Sequence, residues 1–125
     1  ITRNNTGLTV NIALNYGSRA EIIRGIKEIA RRVKERQIEI DDIDEKMFSS
    51  TLYTANIPDP DLVIRTSGEY RVSNFLLYQI AYSEFWFTDI LWPDFNEDEY
   101  FRALVDYQHR NRRFGGISTT LGRDE

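Results

Sequence analysis

Three side chains that can bind an anion lie within residues 61–74, namely Arg65, Arg71 and Ser73, and Glu69 lies between the two arginines. An apolar strand ends at Arg65, a turn follows, and Ser73 is suited to cap a helix that begins beside Arg71. Guanidinium groups, a hydroxyl and the free amides of a helix N-terminus are donors that a diphosphate binds. Because ligands of open α/β sheets bind at the carboxyl ends of the strands, the spacing predicts an anion site there.

The same residues also have a purely structural interpretation. Arg65 and Arg71 could simply pair with Glu69 and with neighbouring aspartates. In the functional interpretation, Glu69 instead orients the two arginines toward a ligand. Residue types and spacing favour neither interpretation over the other.

A carboxylate before an aromatic stretch is the first candidate for a metal ligand. Glu84 directly precedes Phe85, and it is either a surface glutamate or an oxygen ligand for Mg²⁺ that bridges a diphosphate. Asp89 and Asp94 compete for the same role. The chain has no cysteine and one histidine, so disulfides, thiolate zinc sites and cysteine nucleophiles are excluded, and a histidine-based zinc site is disfavoured. Mg²⁺ is therefore the expected metal.

The elements that must position these groups follow from periodicity and capping signals. Residues 8–16 alternate in the manner of a strand, and Ser18 with Glu21 forms a capping box for a helix to about residue 36. One or two short helices are expected within residues 41–52, strands at residues 62–65 and 85–88, and a helix at residues 74–83. A capping box at Asn96 and Glu99 opens a last helix to about Arg113, which Gly115 and Gly116 would end.

This order of strands and helices predicts an α/β fold, with a mainly parallel sheet flanked by helices. Only three strands are visible, whereas a parallel sheet covered on both faces usually has more. The chain also lacks a starting methionine. We therefore expect residues 1–125 to be a portion of one larger domain, with residues 117–125 as a flexible tail.

Composition limits the partners of the chain. Sixteen basic and twenty acidic residues give a net charge of −4, which argues against nucleic-acid binding. No apolar run approaches the roughly 20 residues that span a bilayer, and a cysteine-free composition fits the cytoplasm. At most peripheral contact with the inner face of a membrane is expected. Aromatic residues between Tyr78 and Trp92 are suited to a core or a subunit interface.

Several blocks of the sequence resemble the signature blocks of the cis-prenyltransferases, and those of the bacterial undecaprenyl diphosphate synthases most of all. The blocks are residues 61–69, 71–78, 81–84 and 87–95, with further likeness at residues 11–17 and in the Arg-x-Gly motif at Arg113–Gly115. The resemblance implies a Mg²⁺-dependent, homodimeric enzyme. Such an enzyme condenses isopentenyl diphosphate repeatedly onto farnesyl diphosphate with cis double bonds and makes the lipid carrier for cell-wall (peptidoglycan) synthesis.

The resemblance also implies roles for individual residues. Arg65, Arg71 and Ser73, with the backbone of Val72, would hold the diphosphate of isopentenyl diphosphate, and Glu69 would support the arginines. In the same way, Glu84 would help to ligate Mg²⁺. Arg113 with Gly115 would complete the isopentenyl diphosphate site.

One family block is absent from this chain. The Met-Asp-Gly-Asn-x-Arg block, which carries the family's catalytic aspartate, has no counterpart in the sequence. No catalytic residue is therefore assigned here, and we expect the chain to be inactive without a missing N-terminal half as its partner. The alternatives are a non-catalytic accessory subunit of the same fold and an anion-binding module without a reaction.

Overall fold

The computed structural model describes residues 4–112, which form three α-helices and two strands. The helices are α1 (Ser18–Lys34), α2 (Glu45–Ser50) and α3 (Glu97–His109), the strands are β1 (Leu62–Arg65) and β2 (Glu84–Phe87), and single 3₁₀ turns occupy Ile40–Asp42 and Trp92–Asp94. The chain divides into two compact units at residues 55 and 56. No helix within the described range has the length and apolar character to cross a membrane.

The first unit is built on a close approach between α1 and α2. Gly25 of α1 is buried, and a Cβ at that position would lie 2.5 Å from Oγ1 of Thr51 and 3.2 Å from the ring of Phe48. Only glycine allows this separation. The short helices expected within residues 41–52 are confirmed, and Asp44 caps α2 by accepting the amide of Met47 at 2.7 Å.

The start of α1 lies where the sequence predicts it, but the predicted capping box of Ser18 and Glu21 is not formed. The N-cap is Gly17, and Ser18 is the first helical residue. The carboxylate of Glu21 is buried and accepts the hydroxyl of Tyr16 at 2.5 Å and the backbone amide of Tyr53 at 2.6 Å. Because both carboxylate oxygens have these tertiary donors, Glu21 joins segments of the unit instead of capping the helix.

The strand expected at residues 8–16 is not formed. Residues 8–13 have no regular structure, and the four aliphatic side chains that alternate over residues 8–14 are between 70% and 90% exposed. A strand needs the backbone groups of a neighbour for its hydrogen bonds. No other segment within residues 4–112 supplies that neighbour, so the alternating pattern exists without a sheet.

The apolar stripe of α1 is only partly covered. Ile29 is buried, whereas Ile23 and Ile26 are 52% and 50% exposed. The isoleucines of α1 therefore do not form one buried stripe within the first unit. The reason is that α2 packs against the side of α1 that carries Gly25.

The second unit contains a two-stranded parallel sheet. β1 pairs with β2 in a register that places Leu62 opposite Glu84 and Arg65 opposite Phe87. The predicted range of β1 is confirmed, and β2 begins and ends one residue earlier than predicted. A parallel sheet with helices confirms the predicted α/β class, with two strands instead of three among the described residues.

The helix predicted at residues 74–83 is wrong, because this segment is a succession of turns. Ser73, Asn74 and Leu76 have positive φ angles of 48°, 61° and 47°. A right-handed helix cannot contain such residues, and Ser73 therefore caps no helix. The segment still contributes to the core, since Ile80 is 6% exposed.

α3 begins as predicted and ends earlier than predicted. Oδ1 of Asn96 accepts the amide of Glu99 at 3.1 Å, which is one half of the expected capping box. Ala103 packs this helix into the core with no exposed surface. The helix stops at His109 because Arg110 has an extended backbone, and the predicted Gly115–Gly116 cap lies outside the described residues.

Candidate functional site

The carboxyl ends of the two strands form one joined edge. The amide of Ser67 donates to the carbonyl of Ile90 at 2.8 Å, and that of Gly68 donates to the carbonyl of Thr88 at 2.9 Å. The loops that follow β1 and β2 are therefore hydrogen-bonded to each other. Gly68 has φ of 65°, and a Cβ there would meet Oδ1 of Asp89 at 3.0 Å, so this turn favours glycine.

A pocket of about 250 Å³ opens beside this edge. Arg65 and Arg71 line it on the polar side. The other lining residues are apolar: Val63, Ile64, Val72, Phe75, Phe85 and Phe87. Three of the predicted diphosphate-binding residues, Arg65, Arg71 and Val72, are thus in one cavity, whose walls suit a ligand with an anionic head and a small hydrocarbon tail.

The two arginines differ in their ion pairing. Arg71 forms an ion pair with Glu69, and its side chain is 63% exposed. Arg65 is half-buried and forms no ion pair with any residue in the range 4–112. The structural interpretation therefore holds for Arg71 and Glu69, whereas the charge of Arg65 remains available to an anion.

Two other predicted groups are not placed in this pocket. Ser73 is exposed, and its side chain does not line the cavity. Arg113 and Gly115 lie outside the described residues. Their predicted roles remain predictions.

Glu84 lies at the opposite end of the sheet. It is the first residue of β2 and lies opposite Leu62. Phe87, the residue opposite Arg65, is three positions further along β2, a distance of about 10 Å. Its Oε2 lies 3.0 Å from Nη1 of Arg110. Arg110 also pairs with Asp106, and the pKa of Arg110 is raised, first by the hydrogen bond that it donates to Glu84.

The described residues fit a metal ion only in part. Residues 4–112 contain no cluster of three or more acidic, histidine or cysteine side chains that could hold one. Glu84 is half-buried, and its Oε1 is not the atom bonded to Arg110, so it can offer one oxygen ligand. Asp89 is exposed at the carboxyl edge, beside Gly68, and Asp94 lies in a 3₁₀ turn.

Residue patterns did not predict the contacts of the segment that follows α3. Besides Arg110 with Glu84, Arg112 forms an ion pair with Asp61 and donates to the hydroxyl of Tyr107 at 2.9 Å. The pairing with Asp61 raises the pKa of Arg112. The only signal in the sequence is a cluster of arginines at residues 110–113, which gives no information about their partners.

The sequence matches a family model. Residues 1–115 match the prenyltransferase model that describes undecaprenyl diphosphate synthases. The chain belongs to this family. The predicted resemblance to the cis-prenyltransferases is thereby confirmed, and it extends over nearly the whole chain.

Individual relatives agree with this assignment. The chain is 60% identical over 116 residues to the isoprenyl transferase of Clostridium perfringens, and 57% identical over 116 residues to that of Bacillus subtilis. Each alignment covers 93% of this chain but only 46% and 45%, respectively, of the relative. The chain therefore spans about half the length of these relatives.

A solved structure gives the same result for the fold. Lavandulyl diphosphate synthase from Lavandula x intermedia, in complex with dimethylallyl diphosphate, superposes with a TM-score of 0.79 and 45% sequence identity. The match covers 82% of this chain and 44% of the lavandulyl enzyme. The fold of this chain is therefore part of a prenyltransferase fold.

Proposed function

We propose that this chain provides the isopentenyl diphosphate site of an undecaprenyl diphosphate synthase. The complete enzyme would add isopentenyl diphosphate units in cis to farnesyl diphosphate and so make the lipid carrier for cell-wall synthesis. The observation that carries the proposal is a pocket lined by apolar residues and by two arginines: Arg65, which has no ion-pair partner among residues 4–112, and the partly exposed Arg71. Membership of the family supports the choice of an isoprenoid diphosphate as the ligand.

The polar and the apolar sides of the pocket would bind different parts of the ligand. Arg65 and Arg71 would bind the diphosphate oxygens, and Glu69 would hold the Arg71 guanidinium in place. The rings of Phe75, Phe85 and Phe87 would contact the five-carbon tail and exclude water from it. By the family resemblance, Ser73 and the backbone of Val72 add hydrogen bonds, and Arg113 and Gly115 complete the site.

Mg²⁺ is the proposed cofactor. When bound, it would neutralise diphosphate charge and help the diphosphate of the farnesyl substrate to leave, while the isopentenyl unit keeps its own diphosphate. Glu84 would be one of its ligands, and Arg110 holds that carboxylate in a fixed position. Because residues 4–112 contain no cluster of three or more side chains that could hold a metal, the remaining ligands would be water and groups outside the described range.

The proposed assembly is a homodimer that also requires the N-terminal half of the enzyme. Exposed aromatic side chains at Trp92, Tyr100 and Phe101 support a subunit interface, since exposed aromatic residues are common at contact sites. We propose a cytoplasmic location with at most peripheral contact with the inner membrane. Nucleic acid is not a proposed partner.

Calorimetric titration of isopentenyl diphosphate into the chain, with and without Mg²⁺, tests this function. We expect binding that Mg²⁺ strengthens, and weaker binding of inorganic pyrophosphate because it has no tail for the apolar wall. Equal affinity for both ligands without a Mg²⁺ effect would instead identify an anion-binding module. An absence of binding to either ligand would favour the accessory subunit.

A further inference from the structure

Tyr70 is an exposed aromatic residue beside the arginine pocket. It lies in the loop after β1, between Glu69 and Arg71, and it is 70% exposed. The centroid of its ring is 5.1 Å from that of Phe87, which lines the pocket. Tyr70 itself does not line the cavity, so its ring lies at the rim. An exposed aromatic ring in this position is available to a ligand that binds in the cavity.

The ring of Tyr70 extends a row of aromatic rings that begins inside the pocket. Phe85 and Phe87 are two positions apart on β2, so they lie on the same face of the sheet. Their rings stack, with centroids 5.8 Å apart and an angle of 10° between the ring planes. Tyr70 continues this row from Phe87 beyond the residues that line the cavity. The aromatic wall of the pocket is therefore longer than the cavity.

The loop that carries Tyr70 is held in place on both sides of this residue. Ser67 and Gly68 form a turn after β1 with φ angles of 70° and 65°, and their amides donate to the loop after β2. The ion pair between Glu69 and Arg71 joins the two neighbours of Tyr70. Because these contacts order the backbone before any ligand binds, a contact with the Tyr70 ring costs little conformational entropy.

We propose that Tyr70 covers the hydrocarbon tail of the ligand in the pocket, and so selects a prenyl diphosphate over inorganic pyrophosphate. This inference deepens the proposed function and rests on it, since it assigns a specificity-determining residue to the same site. With the diphosphate on the two arginines, the tail lies against Phe85 and Phe87. The ring of Tyr70 then contacts the outer end of the tail, which removes apolar surface of both groups from water.

Calorimetric titration of Tyr70→Ala and Tyr70→Phe with isopentenyl diphosphate and with inorganic pyrophosphate tests the proposal. We expect Tyr70→Ala to weaken isopentenyl diphosphate binding about fivefold to tenfold, and to change pyrophosphate binding by less than about twofold. Tyr70→Phe keeps the ring and should bind both ligands as the wild-type chain does. Tyr82→Ala is the matched control, because Tyr82 is 67% exposed and precedes β2 at the other end of the sheet.

Three results would overturn the proposal. Equal losses in Tyr70→Ala and Tyr70→Phe would show that the hydroxyl, and not the ring, contacts the ligand. Equal weakening of both ligands in Tyr70→Ala would show that Tyr70 only maintains the positions of the arginines. Unchanged isopentenyl diphosphate binding in Tyr70→Ala would show that the ring makes no contact with the tail.

Failure of the proposed function would be recognised in the wild-type chain. If that chain binds isopentenyl diphosphate no better than pyrophosphate, or binds neither, then the proposed function and this inference are both overturned. If the wild-type chain prefers isopentenyl diphosphate and Tyr70→Ala keeps the whole preference, then only the role of Tyr70 is wrong.

Discussion

Arg65 and Arg71 differ in how much of their charge is already neutralised by the protein. Arg71 has Glu69 as a partner, whereas Arg65 has no carboxylate partner in the described part of the chain. A bound diphosphate would therefore gain more from Arg65 than from Arg71. The arginines were identifiable from the sequence because they follow a strand, but this difference between them depends on side-chain positions that only the structure gives.

We predict that Arg65→Ala weakens isopentenyl diphosphate binding by about 2 kcal/mol, and that Arg71→Ala weakens it by about 1.5 kcal/mol or less. The loss is smaller for Arg71 because Glu69 already neutralises part of its charge, so that Arg71 attracts the ligand less than Arg65 does. Calorimetry on each variant measures both losses, with Arg32→Ala in α1 as the control. Unchanged affinity in Arg65→Ala would contradict the assignment of the pocket.

Arg110 is expected to stabilise the second unit through Glu84. Arg110→Gln should lower the free energy of unfolding by about 1 kcal/mol, since the ion pair is partly exposed and therefore screened. A double-mutant cycle with Glu84→Gln, measured by urea unfolding, should give a coupling energy of about 0.5 kcal/mol. Additive effects of the two substitutions would show that the pair contributes nothing.

The pH dependence of this pair follows from the raised pKa of Arg110. A cation whose pKa is higher in the folded protein contributes fully below its unfolded-state pKa, and loses that contribution only as the pH rises through the folded-state value. Both values lie far above neutrality. The coupling energy should therefore be the same at pH 6.5 and pH 8.5, and a marked change between them would contradict the contact.

Among the helices and strands, the sequence predicts those whose position is set by signals in neighbouring residues. β1 is a short apolar run before a turn, and Asn96 is a polar cap before a helix, so both are found where they were expected. The strand predicted at residues 8–16 and the helix predicted at residues 74–83 were wrong for different reasons. The first segment has the right pattern but no neighbouring strand, and the second has left-handed residues at its start that apolar periodicity does not reveal.

Close contact between α1 and α2 gives a prediction about Gly25. Gly25→Ala raises helix propensity by about 0.5–1 kcal/mol, but its Cβ would lie 2.5 Å from Oγ1 of Thr51. We expect a net loss of at least about 1 kcal/mol in the free energy of unfolding, by urea denaturation. The loss should shrink when Thr51→Ala is also present, and an equal loss in both backgrounds would contradict this account.

The whole molecule is one part of a prenyltransferase fold. Its relatives are about twice as long, its described sheet has two strands, and apolar side chains of residues 8–14 and α1 remain exposed. The sequence indicated this incompleteness through the absent Met-Asp-Gly-Asn-x-Arg block. It could not indicate that Glu84 would lie at the opposite end of the strands from Arg65, because that depends on the register between β1 and β2.

Incorporation of labelled isopentenyl diphosphate onto farnesyl diphosphate with Mg²⁺ tests the central claim most directly. The assay compares this chain alone with this chain co-purified with the remainder of the Clostridium perfringens enzyme. We predict a polyprenyl product only from the complex, and its loss when the chain carries Arg65→Ala. A folded complex without incorporation, or full turnover by this chain alone, would contradict the claim that it supplies the isopentenyl diphosphate site of a larger enzyme.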